Sequence, residues 1–265
     1  MMLKIPKRFL YCVAFGGLND VLNQTMRCHN YCKKHSRKLI LNTINSRLRD
    51  NLDNYFIIKN IDSTVLPFIY NNAIQNMTLE GSNKTFVYDE NINYKSTGLV
   101  SANCRINGTL SKDFFVNFPL RKEILEILKS RYHYLPKEYI AVHIRNTDYR
   151  SNIDQFITTY VNRFQGKNIF LSSDNSESIE EFKHRVDANI ITFSNIPKLN
   201  DDQKFIGLHK IDSINKYELN RDSILDLLLL SLGTEIYCSC PKSGFSKNAK
   251  TMNDPIFKEF LLKQL

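Results

Sequence analysis

The 265-residue chain lacks the sequence patterns of several large classes of enzyme. It contains no GxxxxGK[ST] phosphate loop, no GxGxxG fingerprint and no GxSxG nucleophile elbow. These absences argue against P-loop, nicotinamide or flavin, and α/β-hydrolase chemistry. It also has no Asp-x-Asp pair and no histidines at the spacing of metal ligands. Metal catalysis and covalent hydrolysis are therefore both disfavoured, and we expect no metal and no bound cofactor.

Long apolar runs and paired cysteines are also missing. No stretch approaches 18 apolar residues, and the longest apolar segment, residues 225–232, is interrupted by Asp226. No signal peptide is predicted, because the apolar residues 9–15 are too few and no small-residue cleavage site follows them. None of the six cysteines has CxxC spacing: Cys12, Cys28, Cys32, Cys104, Cys238 and Cys240. Several of them lie in apolar strand or helix patterns and are predicted to be reduced core residues. The protein is predicted to be cytoplasmic.

The chain carries an excess of positive charge. Its net charge is +9 and its sequence pI is about 9.2, while 42% hydrophobic and 24% charged residues are ordinary for a soluble globular protein. Such a balance favours anionic partners: nucleic acid, an acidic membrane surface or a phosphorylated substrate. A nucleic-acid partner is not predicted, because no recognition motif is present. Peripheral contact with the acidic inner membrane is left open.

The first part of the chain has the pattern of an α/β domain. An apolar strand at residues 9–15 is followed by a turn at Gly16 and Gly17, a helix from about Asp20, and a strand at residues 38–43. Residues 76–113 are rich in polar residues and are predicted to form loops that face an acceptor. A helix is predicted to begin at Pro119.

A second alternating series follows. Strands are predicted at residues 139–144, 168–172, 189–193 and 235–239, and helices at residues 153–164, 176–186, 223–232 and 245–250. Residues 195–219 are predicted to be a long polar loop, and an amphipathic helix ends the series. The fold class is therefore predicted to be α/β with two domains, residues 1–118 and residues 119–250, followed by a C-terminal helix at residues 251–265.

Residues 143–148 (His-Ile-Arg-Asn-Thr-Asp) directly follow the apolar run of a buried strand. Arg145 presents a planar, permanently charged set of donors suited to phosphate, and ligands of open α/β sheets bind beyond the carboxyl ends of strands. A phosphorylated ligand is one reading, and a surface ion pair at a strand end is the other. Residues 243–246 (Ser-Gly-Phe-Ser) are predicted to begin a short helix. Either the free backbone amides at its start bind an anion, or Ser243 is an ordinary N-cap.

These segments resemble the motifs of fucosyltransferases of the α1,2, α1,6 and protein-O type. Residues 15–20 are similar to their Gly-Gly-Leu/Phe opening, and residues 143–148 to their His-x-Arg-Arg-x-Asp motif. Residues 169–174 resemble an apolar strand ending in Ser-Asp. Residues 226–231 resemble an Asp-x-x-x-(Met/Leu)-Ser helix, and residues 243–246 a distal Ser-Ser-Phe-Ser. If the last two segments are counted as one element, four elements follow in the same order and span most of the chain.

The resemblance implies a GT-B fold of two Rossmann-like domains facing a cleft, with residues 1–118 on the acceptor side and residues 119–250 as the nucleotide-sugar-binding domain. It also implies an inverting, metal-independent transfer from a nucleotide sugar, usually GDP-fucose. In this reading Arg145 contacts the β-phosphate, and Asp226 reads the guanine edge or positions the nucleotide loop. The remaining donor-site residues implied by the resemblance are Gly16, Gly17, His143, Asp148, Asp174, Ser243, Gly244, Phe245 and Ser246. Asn146 and Gly244 depart from the family pattern, which places the identity of the sugar in doubt more than the fold.

The general base that would activate an acceptor hydroxyl is not fixed by the resemblance. Asp20 and Asp154 are the candidates, because both follow predicted strands at turns into helices, and Asp148 is the alternative. The acceptor is expected to be a glycan or glycolipid hydroxyl in the synthesis of a surface polysaccharide. Two other readings stay open at this point: the same fold using another nucleotide sugar, and a non-catalytic module that binds nucleotides or glycans.

Overall fold

A computed structural model describes residues 8–44, 46–58, 61–62, 74–78, 86–87, 89–95, 98–102, 111–148, 150–200, 203 and 206–265. The chain divides into two compact units, Met1–Arg121 and Lys122–Leu265, called the first and second domains below. Cys104 lies outside the described residues.

The described part of the first domain contains one parallel six-stranded sheet. Its elements in chain order are β1 (Phe9–Val13), α1 (Leu18–Lys34), β2 (Lys38–Asn42), β3 (Ile61–Asp62), β4 (Ile74–Thr78), β5 (Phe86–Val87), β6 (Gly98–Ala102) and α2 (Ser111–Asn117). The strand order is β3-β2-β1-β6-β4-β5, so the first strand lies near the centre. Its buried residues pack under α1, whose inner face includes Val21, Leu22 and Met26.

The loop prediction for residues 76–113 was wrong in part. The end of β4 and all of β5 and β6 fall within it, and α2 begins at its end. These strands are two to five residues long, and their sequences show no clear alternation of apolar and polar residues. They can therefore be recognised only from their pairing within the sheet. Gly98 lies against β1 so closely that a Cβ there would stand 2.5 Å from the Phe9 ring. A glycine at position 98 is therefore needed for this close approach of the two strands.

The helix predicted to begin at Pro119 begins three residues later. Residues 118–121 run beside residues 55–57: the Ile57 amide donates to the Pro119 carbonyl at 2.8 Å and the Arg121 amide to the Tyr55 carbonyl at 2.8 Å. These backbone bonds hold the segment extended, and the helix then starts at Lys122.

The second domain contains a parallel four-stranded sheet covered on both faces. Its elements are α3 (Lys122–Tyr134), β7 (Ile140–Ile144), α4 (Ile153–Phe164), β8 (Asn168–Ser173), α5 (Ser176–Arg185), β9 (Asn189–Ile191), α6 (Lys216–Leu232), β10 (Glu235–Cys238), α7 (Gly244–Met252) and α8 (Pro255–Leu262). The strand order is β10-β7-β8-β9. The chain therefore reverses its direction of winding between β7 and β10, which is where open α/β sheets place their ligands.

The two faces of this sheet carry different side chains of β7. Ile140, Val142 and Ile144 pack into a core with residues of α4 and α5. Because side chains alternate along a strand, Ala141 and His143 point to the other face, towards α6 and α7. A Cβ added to Gly233, after α6, would lie 2.7 Å from Ala141, and His143 bonds to α7. The alternation thus places one polar residue of the strand, His143, on the face that carries the cavity described below.

The polar loop predicted for residues 195–219 ends earlier than expected. Asn215 caps α6 by accepting from the Glu218 amide at 3.3 Å, so the helix begins at Lys216 and not near Ser223. Its first two turns are polar on the side that borders the cavity, and they lack the apolar spacing used to find helices.

Among the described glycines of the first domain, Gly16 is the one whose backbone conformation depends most on the absence of a side chain. It has a φ of +95°, and a Cβ there would meet the carboxylate of Asp20. Gly16→Ala is expected to lower the free energy of unfolding by about 1–3 kcal/mol, measured by denaturant unfolding. Gly17→Ala is the matched control, because Gly17 has a φ of −80° and no atom within 4 Å of the added Cβ. Equal losses in the two variants would contradict this account.

Candidate functional site

A cavity of about 340 Å³ lies in the second domain at the carboxyl ends of its strands. Its walls come from α3 and α6, from the segments that follow β7, β8 and β9, and from the start of α7. These segments are brought together because all four strands are parallel and end at one edge of the sheet. The cavity therefore occupies the place that the sheet topology favours for a ligand.

Arg145 lies directly after β7 and borders the cavity with 21% of its side chain exposed. Its backbone amide donates to the Ser239 hydroxyl at 3.0 Å, which ties it to the end of β10. Its guanidinium is held by two carboxylates, Asp148 in a short hydrogen bond and Asp174 at 2.9 Å. The group is thus fixed in position, partly buried and turned towards the cavity.

Both carboxylates around Arg145 are themselves anchored. Asp174 accepts from the Asn146 amide at 2.8 Å and from the Thr147 hydroxyl at 2.5 Å. Burial opposes ionisation of Asp148, but the charge and hydrogen bond of Arg145, with smaller effects of His209 and Lys210, prevail and lower its pKa. Asp148 is therefore an ionised partner of the arginine, which disfavours it as a general base.

His143 is buried in the floor of the cavity and is neutral. Its Nδ1 lies 2.7 Å from the Ser246 hydroxyl, and its ring lies 4.9 Å from that of Phe245. Burial, and next the charge of Arg145, lower its pKa to about 3. His143 thus fixes the start of α7 against β7 and carries no charge at neutral pH.

The predicted Ser-Gly-Phe-Ser segment does open α7. Ser243 is the N-cap, and its hydroxyl accepts from the Ser246 amide at 3.4 Å. Ser243 and Ser246 are buried, and Phe245 is the residue of this segment that lines the cavity. The segment therefore contributes an aromatic side wall, and its capping bond uses the Ser246 amide.

Asp226 lies at the buried end of the cavity, with 4% of its surface exposed. Its Oδ2 accepts from the Ser172 hydroxyl at 2.9 Å and from the Ser194 hydroxyl at 2.7 Å. Burial raises its pKa to about 6, although these hydroxyls and the nearby Arg131 oppose the shift. The carboxylate is thus ionised at neutral pH and titrates only slightly below it.

Arg131 of α3 stands beside Asp226 and was not predicted. Its Nη2 donates to Asp222 at 2.6 Å, and its Nη1 lies 3.6 Å from the Oδ1 of Asp226. The guanidinium also lies over the ring of Phe193, 5.5 Å from its centre. Three residues that line this end, Arg131, Phe193 and Ser194, come from a helix and a loop without any motif, so sequence reasoning had no signal for them.

The walls of the cavity carry both signs of charge. The lining residues include three arginines, at positions 131, 145 and 221, and four carboxylates, at positions 174, 218, 222 and 226. Arg145 is paired with Asp174, and Arg131 and Arg221 with Asp222. The net positive charge of the chain is therefore not concentrated in the cavity. An anionic ligand would be bound by individual hydrogen-bond donors more than by an overall positive potential.

Four of the predicted site residues lie away from this cavity, one in the second domain and three in the first. Asp154 lies on α4 with 80% of its side chain exposed and pairs with Arg185, so its surroundings give no support to a role as general base. Asp20 lies in the first domain, where its carboxylate accepts from the Gly17 amide at 3.2 Å at the start of α1. Gly16 and Gly17 form the predicted turn after β1.

The fold of the chain is similar to that of solved fucosyltransferases. A crystal structure of the NodZ α-1,6-fucosyltransferase of Bradyrhizobium, co-crystallized with GDP, has a TM-score of 0.63 at 14% identity and covers 92% of each chain. A mutant of Arabidopsis thaliana FUT1 with GDP has a TM-score of 0.56 at 12% identity, covering 93% of this chain and 68% of that one. POFUT1 with GDP has a TM-score of 0.52 at 12% identity, covering 93% and 94%.

No protein-family model and no curated protein sequence matches the chain. At the identities found for the solved structures, the likeness concerns the fold. The predicted class, α/β with Rossmann-like parallel sheets of the GT-B type, is confirmed by it.

Two further observations concern ions and membranes. Among the described residues, no group of three or more His, Cys, Asp and Glu side chains is arranged to hold a metal ion. In the same part of the chain, none of the helices is both long enough and apolar enough to cross a bilayer.

Proposed function

We propose that the protein is an inverting, metal-independent glycosyltransferase that transfers a sugar, L-fucose from GDP-fucose in the first instance, to a hydroxyl of a glycan or glycolipid. The observation that carries the proposal is the presence of Arg145 and Asp226 in one cavity at the switch point of the second sheet. The fold is shared with fucosyltransferases whose solved structures contain GDP. The expected absence of a cofactor stays a prediction.

The two ends of the cavity suit the two ends of a nucleoside diphosphate. Asp226 is buried and ionised, and a carboxylate there can accept hydrogen bonds from the N–H groups of a guanine base. Arg145 lies at the strand end, where a diphosphate would meet its remaining N–H donors and the start of α7. Asp174, His143, Phe245 and the capped helix start would then hold this end in shape.

The chemistry follows from where charge develops. As the bond between the sugar and the diphosphate lengthens, negative charge grows on the β-phosphate. A guanidinium already fixed by two carboxylates can stabilise this charge without reorganising. An acceptor hydroxyl attacking from the opposite face would invert the anomeric centre. The position of Arg145 supports this role, because its backbone amide is bonded to Ser239 and its guanidinium to Asp148.

The base that removes the acceptor proton is less well supported. Asp20 stays the candidate from the sequence, and Asp154 is not carried forward because it is exposed and paired. A role in surface polysaccharide synthesis, a cytoplasmic location and contact with an acidic membrane are part of the proposal, based on the resemblance and the net charge of +9.

A nucleotide panel tests the donor. We expect GDP and GDP-fucose to raise the melting temperature, and ADP and UDP to have a smaller effect, because only guanine offers Asp226 both a ring N–H and an amino group. At about 100 times Kd the stabilisation is about 2.7 kcal/mol. Transfer is then measured as GDP released from GDP-fucose with and without a glycan acceptor.

Each alternative has its own outcome. A preference for uridine nucleotides would replace the guanosine donor while retaining the enzyme. Tight GDP binding with no release of GDP from GDP-fucose, across a range of glycan acceptors, would favour the non-catalytic binding module. A protein that binds none of these nucleotides would contradict the proposal.

A further inference from the structure

Glu218 lines the cavity from the first turn of α6. It lies one helical turn before Asp222 and two turns before Asp226, so the three side chains fall on the same face of the helix, about 6 Å apart along its axis. All three line the cavity. Asp226 is buried, Asp222 is partly buried and Glu218 is exposed. This wall therefore runs from Asp226 at the inner end of the cavity to Glu218 at its opening.

Glu218 differs from the other two carboxylates in its partners. Asp226 accepts from two serine hydroxyls, and Asp222 pairs with two arginines. The backbone amide of Glu218 donates to the Asn215 side chain at 3.3 Å, but its carboxylate has no hydrogen bond or ion pair within the ranges that the structure describes. The helix dipole favours an acidic residue in a first turn, but it does not require that residue to border a cavity. Two acceptor oxygens of Glu218 are therefore available to a ligand.

The chemistry of a carboxylate limits the part of a nucleoside diphosphate that Glu218 can bind. A carboxylate accepts hydrogen bonds and repels an anion, so the diphosphate is excluded. The N–H groups of a guanine base are matched to Asp226, two helical turns further into the cavity. The ribose remains, and its 2′ and 3′ hydroxyls are neighbouring donors that the two oxygens of one carboxylate can accept. An acidic residue binds the ribose in the same way in dinucleotide-binding α/β folds.

We propose that Glu218 is a specificity-determining residue that accepts hydrogen bonds from the 2′ and 3′ hydroxyls of the ribose of the bound nucleotide. The inference rests on the proposed function, because it requires that the cavity binds a nucleotide. It goes beyond that function by giving a partner to the ribose, for which neither Arg145 nor Asp226 is placed. Base, ribose and diphosphate then each have a separate charged residue in the cavity wall.

Calorimetric titration with GDP, 2′,3′-dideoxy-GDP and inorganic pyrophosphate tests the role of Glu218. The wild-type protein should bind dideoxy-GDP about 10-fold more weakly than GDP, because hydrogen bonds to a carboxylate are lost. Glu218→Ala should weaken GDP by about the same factor, which brings its affinity level with that of dideoxy-GDP. Pyrophosphate binding should not weaken, since the substitution removes a negative charge from the cavity wall.

Glu123→Ala is the matched control, because Glu123 is an exposed acidic residue in the first turn of α3 that does not line the cavity. It should change none of these affinities. Glu218→Gln keeps the length of the side chain and one acceptor oxygen, so its preference for GDP over dideoxy-GDP should lie between those of the wild type and Glu218→Ala.

The ratio of GDP to dideoxy-GDP affinity decides the inference. An equal ratio in the wild type and in both Glu218 variants would overturn it while leaving nucleotide binding intact, as would a wild type without any preference for GDP. A wild type that binds pyrophosphate but neither nucleotide would overturn the proposed function with it.

Discussion

Arg145→Met should reduce the rate of GDP release from GDP-fucose by about 10²–10³-fold. The substitution removes the fixed donors next to the proposed leaving group and keeps an unbranched side chain of similar bulk. The loss should be larger in kcat than in KM, because the charge that the arginine stabilises is greatest in the transition state. Initial rates at several GDP-fucose concentrations give both constants. A variant with near-normal turnover would show that the arginine serves another purpose.

A structural effect of the same change has to be separated from a catalytic one. Without its guanidinium, Asp148 and Asp174 would be left as neighbouring carboxylates with no cation between them. The double variant Arg145→Met/Asp148→Asn removes one of these charges. We expect it to recover the melting temperature without recovering turnover. If turnover returned together with stability, the role of Arg145 would be to hold the fold.

The parts of the fold that the sequence predicted well are those in which burial is complete. β7 was predicted at residues 139–144 and runs over Ile140–Ile144, and α4 was predicted at its observed bounds, Ile153–Phe164. A strand of a parallel sheet is covered on both faces, so it is an apolar run. A helix covering such a sheet has an apolar stripe at helical spacing. In both cases the pattern follows directly from packing.

Secondary-structure prediction failed in two kinds of segment. One kind also lines the cavity, and the other becomes a strand only by pairing with strands that are distant in sequence. The first turns of α6 carry Glu218, Asp222 and other polar residues that line the cavity, and they lack the apolar stripe. Asn215 followed by Glu218 is a capping pattern that could have located the start of the helix. No comparable signal marks β6, which is defined by pairing with β1 and β4.

The residues of the candidate site also fall into a group that the sequence predicted and a group that it did not. Arg145, Asp174 and Asp226 follow strands or lie on a strongly apolar helix, so their meeting at one sheet edge could be anticipated. Arg131 precedes β7 in the chain, and Ser194 follows β9, without any residue pattern that marks a site. Arg131 comes close to Asp226 because α3 packs against α6, and Ser194 does so because the segment after β9 lies beside α6. Sequence reasoning found the charged groups that end strands and missed those that complete the other end of the cavity.

Asp226→Asn should weaken GDP binding by about 10–100-fold and at the same time remove a cost to the stability of the unliganded protein. Burial raises the pKa of Asp226 to about 6 in the folded protein, well above the value of about 4 for an ordinary aspartate. The folded state therefore holds the proton more tightly, and the contribution of this group to stability is lost as the pH rises from about 4 to about 6. Two pKa units correspond to a cost on the order of 3 kcal/mol above pH 6. Chemical unfolding of both proteins at pH 4, 5, 6 and 7 measures this difference.

The pH dependence of GDP binding tests the role of Asp226 independently. Wild-type affinity for GDP should fall as the pH drops below about 6, because the protonated carboxyl can no longer accept at both oxygens and loses its charge. Asp226→Asn should show no such fall. Asp222, which also lines the cavity, stays paired with Arg131 and Arg221 in both proteins. If the asparagine variant kept the wild-type pH profile of binding, the titrating group would have to be another residue, and Asp226 would not be the one that reads the base.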